Sequence, residues 1–82
     1  MTVTVRFFAG ARQAAGTASE ETELPDGARV TDLVRTLAAA HGPALARVLA
    51  SSSFLVDEVG GSPERVIPSG AVVDVLPPFS GG

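Results

Sequence analysis

The sequence contains no cysteine, no lysine, no tryptophan and no tyrosine. Without a thiol the chain cannot form a disulfide, offer a thiolate nucleophile or carry sulfur as a side-chain persulfide. Any sulfur that it carried would therefore have to be attached to its carboxyl terminus. His41 is the only histidine, and we interpret it as a cation at the end of a helix. Because no second histidine or carboxylate cluster accompanies it, we predict no metal site.

Positive charge comes only from six scattered arginines, and the net charge is −3. No basic cluster is available to neutralise phosphates, so we expect no nucleic-acid partner. No apolar stretch is long enough to span a bilayer, and no signal peptide opens the chain. We therefore expect a cytoplasmic protein with no membrane partner. At 82 residues, the chain is predicted to form a single domain over residues 1–82.

Catalytic motifs are also missing. The sequence has no cysteine nucleophile, no plausible histidine-centred catalytic group and no glycine-rich phosphate loop between a strand and a helix. We therefore predict that the chain is not an enzyme on its own and that it binds no cofactor.

Alternating apolar residues predict a half-buried first strand over residues 2–8, with Val3, Val5 and Phe7 on one face. A short helical turn is expected at residues 12–15. A polar second strand over residues 17–24 should lie at a sheet edge, and Pro25-Asp26-Gly27 is typical of a turn. The first and last strands of the chain, residues 2–8 and 72–76, are apolar enough to lie at the centre of the sheet.

Helical spacing of apolar residues predicts an amphipathic helix that reaches Gly42, with Thr31 as its N-cap. Pro43 is expected to open a shorter helix through Ala50. The remaining sequence predicts a strand over residues 54–59 and a turn at 60–63. It then predicts a very short strand at 65–67, a turn at 68–70 and a last strand over 72–76. This order indicates an α+β fold with a mixed sheet of about four to five strands packed on one main helix.

The chain ends in a tail over residues 77–82, which we expect to be extended and flexible. Pro77 and Pro78 should stop the last strand and project the residues that follow. Gly81 and Gly82 leave the terminal carboxylate without neighbouring side chains, so it can enter a narrow active site and be approached closely. Such a terminus suits activation as an acyl-adenylate and attack by a sulfur or nitrogen nucleophile.

The phase of the two apolar strands places three further apolar residues on the sheet face opposite the helix. These are Phe8, Val72 and Leu76. Because no second layer is expected to cover them, they could form an exposed patch at the root of the tail, with Phe79 just beyond it. We interpret this patch as a partner-docking surface.

The chain resembles the ubiquitin-like β-grasp sulfur carriers, and within them the small subunits of molybdopterin synthase. The likeness lies in Val5 to Ala9 with Arg12 and Gly16, in the helix Val30 to His41, and in Pro68 to Gly70 running on through the tail. The Pro-Pro-aromatic-Ser-Gly-Gly ending is its specific part.

This resemblance implies a β-grasp fold and a mechanism. An adenylating E1-like enzyme would use ATP to activate Gly82, a sulfur donor would convert it to a thiocarboxylate, and Gly81 would serve as its slender neck. The tail, with Pro77, Pro78, Phe79 and Ser80 as contacts, would insert into the large catalytic subunit and pass sulfur to cyclic pyranopterin monophosphate, building molybdopterin.

Three other readings stay open at this point. The chain could carry sulfur for thiamine, cysteine or transfer-RNA thiolation. It could be a ubiquitin-like modifier joined to lysines of targets through Gly82. It could also be a β-grasp binding module with an idle tail.

Overall fold

A computed structural model describes residues 1–78 of the chain. In chain order the elements are β1 (Thr2–Phe7), α1 (Ala9–Ala15), β2 (Ser19–Glu23), α2 (Val30–His41), α3 (Pro43–Ala50), β3 (Ser53–Val56), β4 (Val59–Gly60) and β5 (Val72–Leu76). None of the helices within these residues is long and apolar enough to cross a membrane.

The five strands form one mixed sheet in the order β2-β1-β5-β3-β4. β1 and β5 are parallel neighbours, and the other adjacent pairs are antiparallel. The prediction that the first and last strands are central is confirmed, as is the position of the glutamate-rich β2 at an edge. Because β1 and β5 run in the same direction, their carboxyl ends meet at one end of the sheet. The residues after β5 therefore leave the fold beside Phe8.

The core lies between one face of this sheet and the helices. β1 contributes Val3, Val5 and Phe7, as its alternation predicts, and β5 contributes Val73 and Val75. The helices cover them with fully buried leucines at helical spacing, which are Leu33 and Leu37 of α2 and Leu45 and Leu49 of α3. The apolar residues that alternate in β1 and β5 and those that recur at helical spacing in α2 and α3 therefore pack together in a single core.

The start of α2 differs from the prediction. Thr31 is not the N-cap: the helix begins at Val30 with Arg29 in the cap position. The Asp32 side chain accepts a hydrogen bond of 2.8 Å from the Arg29 backbone N–H, as an acidic residue at the third helical position does in a capping box. The buried Val30 side chain anchors this first turn against the core. Gly42 ends α2 at a φ of 95°, a conformation that favours glycine.

The turn after β3 also lies elsewhere than predicted. The strand ends at Val56 rather than residue 59, Asp57 and Glu58 make the turn, and Val59 pairs back as β4. Both turn residues have positive φ, 48° and 70°, as a tight two-residue hairpin turn requires. Asp57 is tied to β5, because its N–H donates to the Val72 carbonyl at 2.8 Å and its carboxylate accepts from the Val72 N–H at 2.9 Å.

Glu58→Gly is expected to stabilise the protein by about 0.5–1 kcal/mol, because glycine adopts the left-handed conformation without the penalty that a Cβ imposes. Glu58→Ala is the matched control, since it removes the carboxylate but keeps the Cβ. Chemical denaturation measures both. If Glu58→Gly were no more stable than Glu58→Ala, backbone conformation would not limit stability at this turn.

Three smaller differences complete the fold. α1 begins at Ala9 rather than residue 12, because Ala11 is buried in the core and extends the packed segment. β2 is shorter than predicted, at Ser19–Glu23. The predicted strand over residues 65–67 is reduced to one bridge between Arg29 and Val66. Pro63 and Pro68 flank that segment and lack the N–H groups that a longer ladder would need.

Candidate functional site

The second face of the sheet carries no helix among residues 1–78, and we call it the open face. Strand register places matching positions side by side on it, with Thr4 beside Val72, Arg6 beside Asp74, and Ser53 beside Leu76. In the antiparallel pair of β1 and β2, Glu21 and Glu23 also lie on this face. The open face is thus a mixed polar and apolar surface built from all the longer strands.

Four apolar residues lie on the open face: Phe8 and Leu76 are at the carboxyl ends of β1 and β5, Leu55 pairs with the middle of β5, and Val72 is at its start. Phe8 is 41% exposed, and Leu55, Val72 and Leu76 are each partly buried. These four residues are the apolar patch from here on. The structure places the predicted residues Phe8, Val72 and Leu76 on one face, as strand phase indicated, but Val72 lies at the opposite end of β5 from Leu76, with Asp74 between them. Leu55 was missed, because its place on this face depends on β3 pairing with β5, which the sequence does not disclose.

Phe8 is placed by the junction between β1 and α1. Its backbone is extended and it occupies the position before the first turn of α1. Its N–H still donates to the Val75 carbonyl at 3.3 Å, so the strand pairing continues one step past β1. Phe8 therefore points to the face opposite Phe7, and its ring cannot reach the core.

An ion pair joins the two central strands on the same face. Arg6 donates from Nε to Asp74 Oδ1 at 2.6 Å and from a terminal nitrogen, Nη2, to Oδ2 at 2.9 Å. The Asp74 side chain is only 8% exposed, whereas that of Arg6 is 47% exposed. The hydrogen bonds and the charge of Asp74 raise the pKa of Arg6, and Glu58 adds a smaller effect in the same direction. Two parallel hydrogen bonds fix the guanidinium plane as well as its position.

The pair was not predicted as a site feature. Its signal was present, since Arg6 and Asp74 both occupy outward positions of the two strands that the sequence predicts to be central. The guanidinium carbon also lies 6.0 Å from the centroid of the Phe8 ring, within the range of a cation–π contact. Arg6 therefore connects the buried carboxylate to the apolar patch.

The tail begins directly after β5. β5 ends at Leu76, Pro77 is partly buried and Pro78 is exposed. Proline has no N–H to continue the ladder, which explains why pairing stops here. The predicted site residues Phe79, Ser80, Gly81 and Gly82 lie outside the described residues, so their proposed roles as tail contacts, neck and carrier group stay predictions.

His41 lies on the other side of the sheet from the patch. It is the last residue of α2, as predicted, and its Nε2 lies 2.6 Å from Glu20 Oε1. Its ring meets Phe7 edge to face at 5.9 Å. Within residues 1–78 no group of three or more histidine, aspartate or glutamate side chains is placed to hold a metal ion. The contacts of His41 are those of a packing residue.

A sequence profile of the ThiS family matches residues 5–82. This chain belongs to the ThiS family. The match begins within β1, at Val5, and includes the other four strands and the tail to its last residue. Together with the helix-on-sheet topology, it confirms the predicted ubiquitin-like β-grasp fold.

Individual relatives resemble this ThiS-family chain over all or nearly all of its length. The molybdopterin synthase sulfur carrier subunit of Chlamydomonas reinhardtii is 36% identical over 84 residues, which cover 100% of each chain. A solved structure of a putative molybdopterin converting factor, subunit 1, from Pyrococcus furiosus is 31% identical with a TM-score of 0.81, covering 96% of this chain and 99% of that one. A complex of subunits 1 and 2 of molybdopterin-converting factor from Helicobacter pylori gives a match at 21% identity and a TM-score of 0.64, covering 100% of both chains. At that identity the last match supports the fold.

Proposed function

We propose that this chain is the sulfur-carrier subunit of molybdopterin synthase. The observation that carries the proposal is the 36% identity to the Chlamydomonas reinhardtii carrier over the complete length of both chains. The Pyrococcus furiosus match supports the same assignment. The chain itself is non-catalytic in this scheme, and the catalytic groups belong to its partners.

The chemistry is assigned to the carboxylate of Gly82. An E1-like enzyme would bind ATP, join the carboxylate to AMP and release pyrophosphate. Adenylation makes the Gly82 carbonyl electrophilic, so that a sulfur donor can displace AMP and leave a thiocarboxylate. The absence of a side chain at Gly81 and Gly82 lets the donor and the acceptor reach this carbonyl. Because activation consumes ATP, a cytoplasmic location is part of the proposal.

The large subunit is proposed to dock on the open face at the apolar patch. Phe8 and Leu76 lie where β5 passes into Pro77 and Pro78, and Leu55 and Val72 extend the apolar surface away from that point along β3 and β5. A partner that covered this patch would receive the tail directly, since the tail begins at the edge of the same surface. Burial of exposed apolar area provides the main driving force for such an interface. We propose that the tail contacts the active-site channel of the large subunit through Pro77, Pro78, Phe79 and Ser80.

The pathway can be tested by reconstitution. The chain is combined with ATP, an E1-like activating enzyme, a sulfur donor, the large subunit and cyclic pyranopterin monophosphate, and molybdopterin is measured. We expect product only when both the chain and the large subunit are present. A parallel mixture with the thiazole-forming enzyme in place of the large subunit is the control. Sulfur transfer in that control and none to the pyranopterin would assign the chain to the thiamine pathway instead.

A further inference from the structure

The charges of the chain are divided between its two faces. Five of the six arginines lie in the helices or in the loops beside them, at positions 12, 29, 35, 47 and 65. Arg6 is the one arginine on the open face. The carboxylates of Glu21, Glu23 and Asp74 share that face, and Glu58 is close enough to affect Arg6. The open face is therefore acidic, with a single cation near its apolar patch.

That cation is held in one orientation. Nε and Nη2 of Arg6 are engaged by Asp74, and the Phe8 ring lies beside the guanidinium. The third nitrogen, Nη1, contacts no acceptor within residues 1–78, and the side chain is 47% exposed. Because the fork to Asp74 fixes the guanidinium plane, the direction of the Nη1 hydrogen bonds is fixed before any partner arrives.

A partner that covers the apolar patch must also cover Arg6, which contacts Phe8. Burying a guanidinium N–H without an acceptor is unfavourable, so the partner has to supply an oxygen opposite Nη1. A carboxylate would meet the negative charges of Asp74 and Glu58 at close range. A neutral carbonyl oxygen accepts the same hydrogen bond without that repulsion.

We propose that the Arg6–Asp74 pair is a specificity element of the docking surface. It selects a partner surface that places a neutral carbonyl oxygen against Arg6 and carries basic side chains around it. The pair thereby disfavours surfaces that would put an apolar group or a carboxylate at this point. This inference rests on the proposed function, since it takes the large subunit of molybdopterin synthase as the partner.

The test is the affinity of the full-length chain for that large subunit, measured by calorimetry. The double variant Arg6→Leu, Asp74→Val removes both charges together, so it leaves no unpaired carboxylate, and apolar replacement of such pairs is commonly tolerated. We expect the double variant to remain folded and to bind about tenfold to a hundredfold more weakly, the usual effect of losing a charged hydrogen bond. Arg47→Leu is the control, since it removes an exposed arginine of α3, on the helix side of the sheet, and should leave the affinity unchanged.

A second variant covers the case in which the double variant does not fold. Arg6→Lys keeps the positive charge opposite Asp74 but has no planar fork, so it also should weaken binding. Unchanged affinity in a folded double variant, or in Arg6→Lys, would overturn the proposal. A wild-type chain that failed to bind the large subunit would instead contradict the proposed function. Unchanged variants beside a tightly bound wild type would contradict only the role of the pair.

The salt dependence of binding tests the proposal that basic side chains of the partner surround the carbonyl oxygen. Higher sodium chloride concentration should weaken wild-type binding, because it screens the attraction between an acidic open face and a basic partner surface. Stronger binding at high salt would mean that like charges face each other, and it would overturn the proposal that the partner surface is basic.

Discussion

Removal of Gly82 is expected to abolish sulfur transfer completely while leaving the thermal unfolding of the chain unchanged. The physical reason is that the fold and the carrier group occupy separate parts of the chain. Among residues 1–78, every buried apolar residue of the core lies between Val3 and Val75, and the last strand ends at Leu76. The truncated chain therefore keeps all of these contacts and loses only the proposed acyl group.

Gly81 provides a graded version of the same experiment. Gly81→Ala adds one methyl group to the proposed neck and Gly81→Val adds a branched side chain, so transfer should fall progressively across the two variants. Ser69→Ala, at an exposed position in a turn, is the control and should transfer sulfur at the wild-type rate. Full transfer by the chain that lacks Gly82 would contradict the carrier assignment.

Leu76→Glu is expected to weaken binding of the large subunit far more than it weakens folding. In the free chain the new carboxylate would lie on the open face, where water can reach it, since Leu76 itself is only partly buried. In the complex the partner would cover it at the end of β5, where the apolar patch meets the tail. Burying an unpaired carboxylate costs several kcal/mol, so the affinity should fall by roughly a hundredfold or more.

Ala40→Glu is the matched control for this charge change. It introduces the same carboxylate at an exposed position of α2, on the opposite side of the sheet, and should leave the affinity near that of the wild type. Calorimetric titration measures binding, and thermal melts measure folding. If Leu76→Glu bound as tightly as the wild type, the docking surface would lie on another face.

The central part of this fold could be predicted because its signals are local. Alternation in β1 separates Val3, Val5 and Phe7 from Phe8 without knowledge of any partner strand. The apolar spacing in α2 and the glycine at position 42 define that helix equally well. The same strand phase places three of the four residues of the apolar patch on the open face, and their role as a docking surface stays a prediction.

The features that were missed depend on contacts between distant segments. The turn at Asp57 and Glu58 contains no glycine, so the local sequence does not predict it. Hydrogen bonds between Asp57 and Val72 stabilise it. Arg29 replaces Thr31 as the cap of α2 because the burial of Val30 extends the helix by two residues, Val30 and Thr31. The Arg6–Asp74 pair joins residues that are 68 positions apart. Such pairings depend on strand order, which local patterns do not specify.

The claim that sulfur travels on Gly82 is tested most directly by the intact mass of the chain after activation. The wild-type chain is incubated with ATP, the E1-like enzyme and a sulfur donor, beside the chain that lacks Gly82. We predict that the wild-type mass rises by the difference between one sulfur and one oxygen atom, that fragmentation locates the change at Gly82, and that the truncated chain stays unchanged. Because the sequence has no cysteine, no side-chain thiol can produce this signal. A mass increase on any side chain, or an unmodified terminus under conditions that convert the Chlamydomonas reinhardtii carrier, would contradict the account.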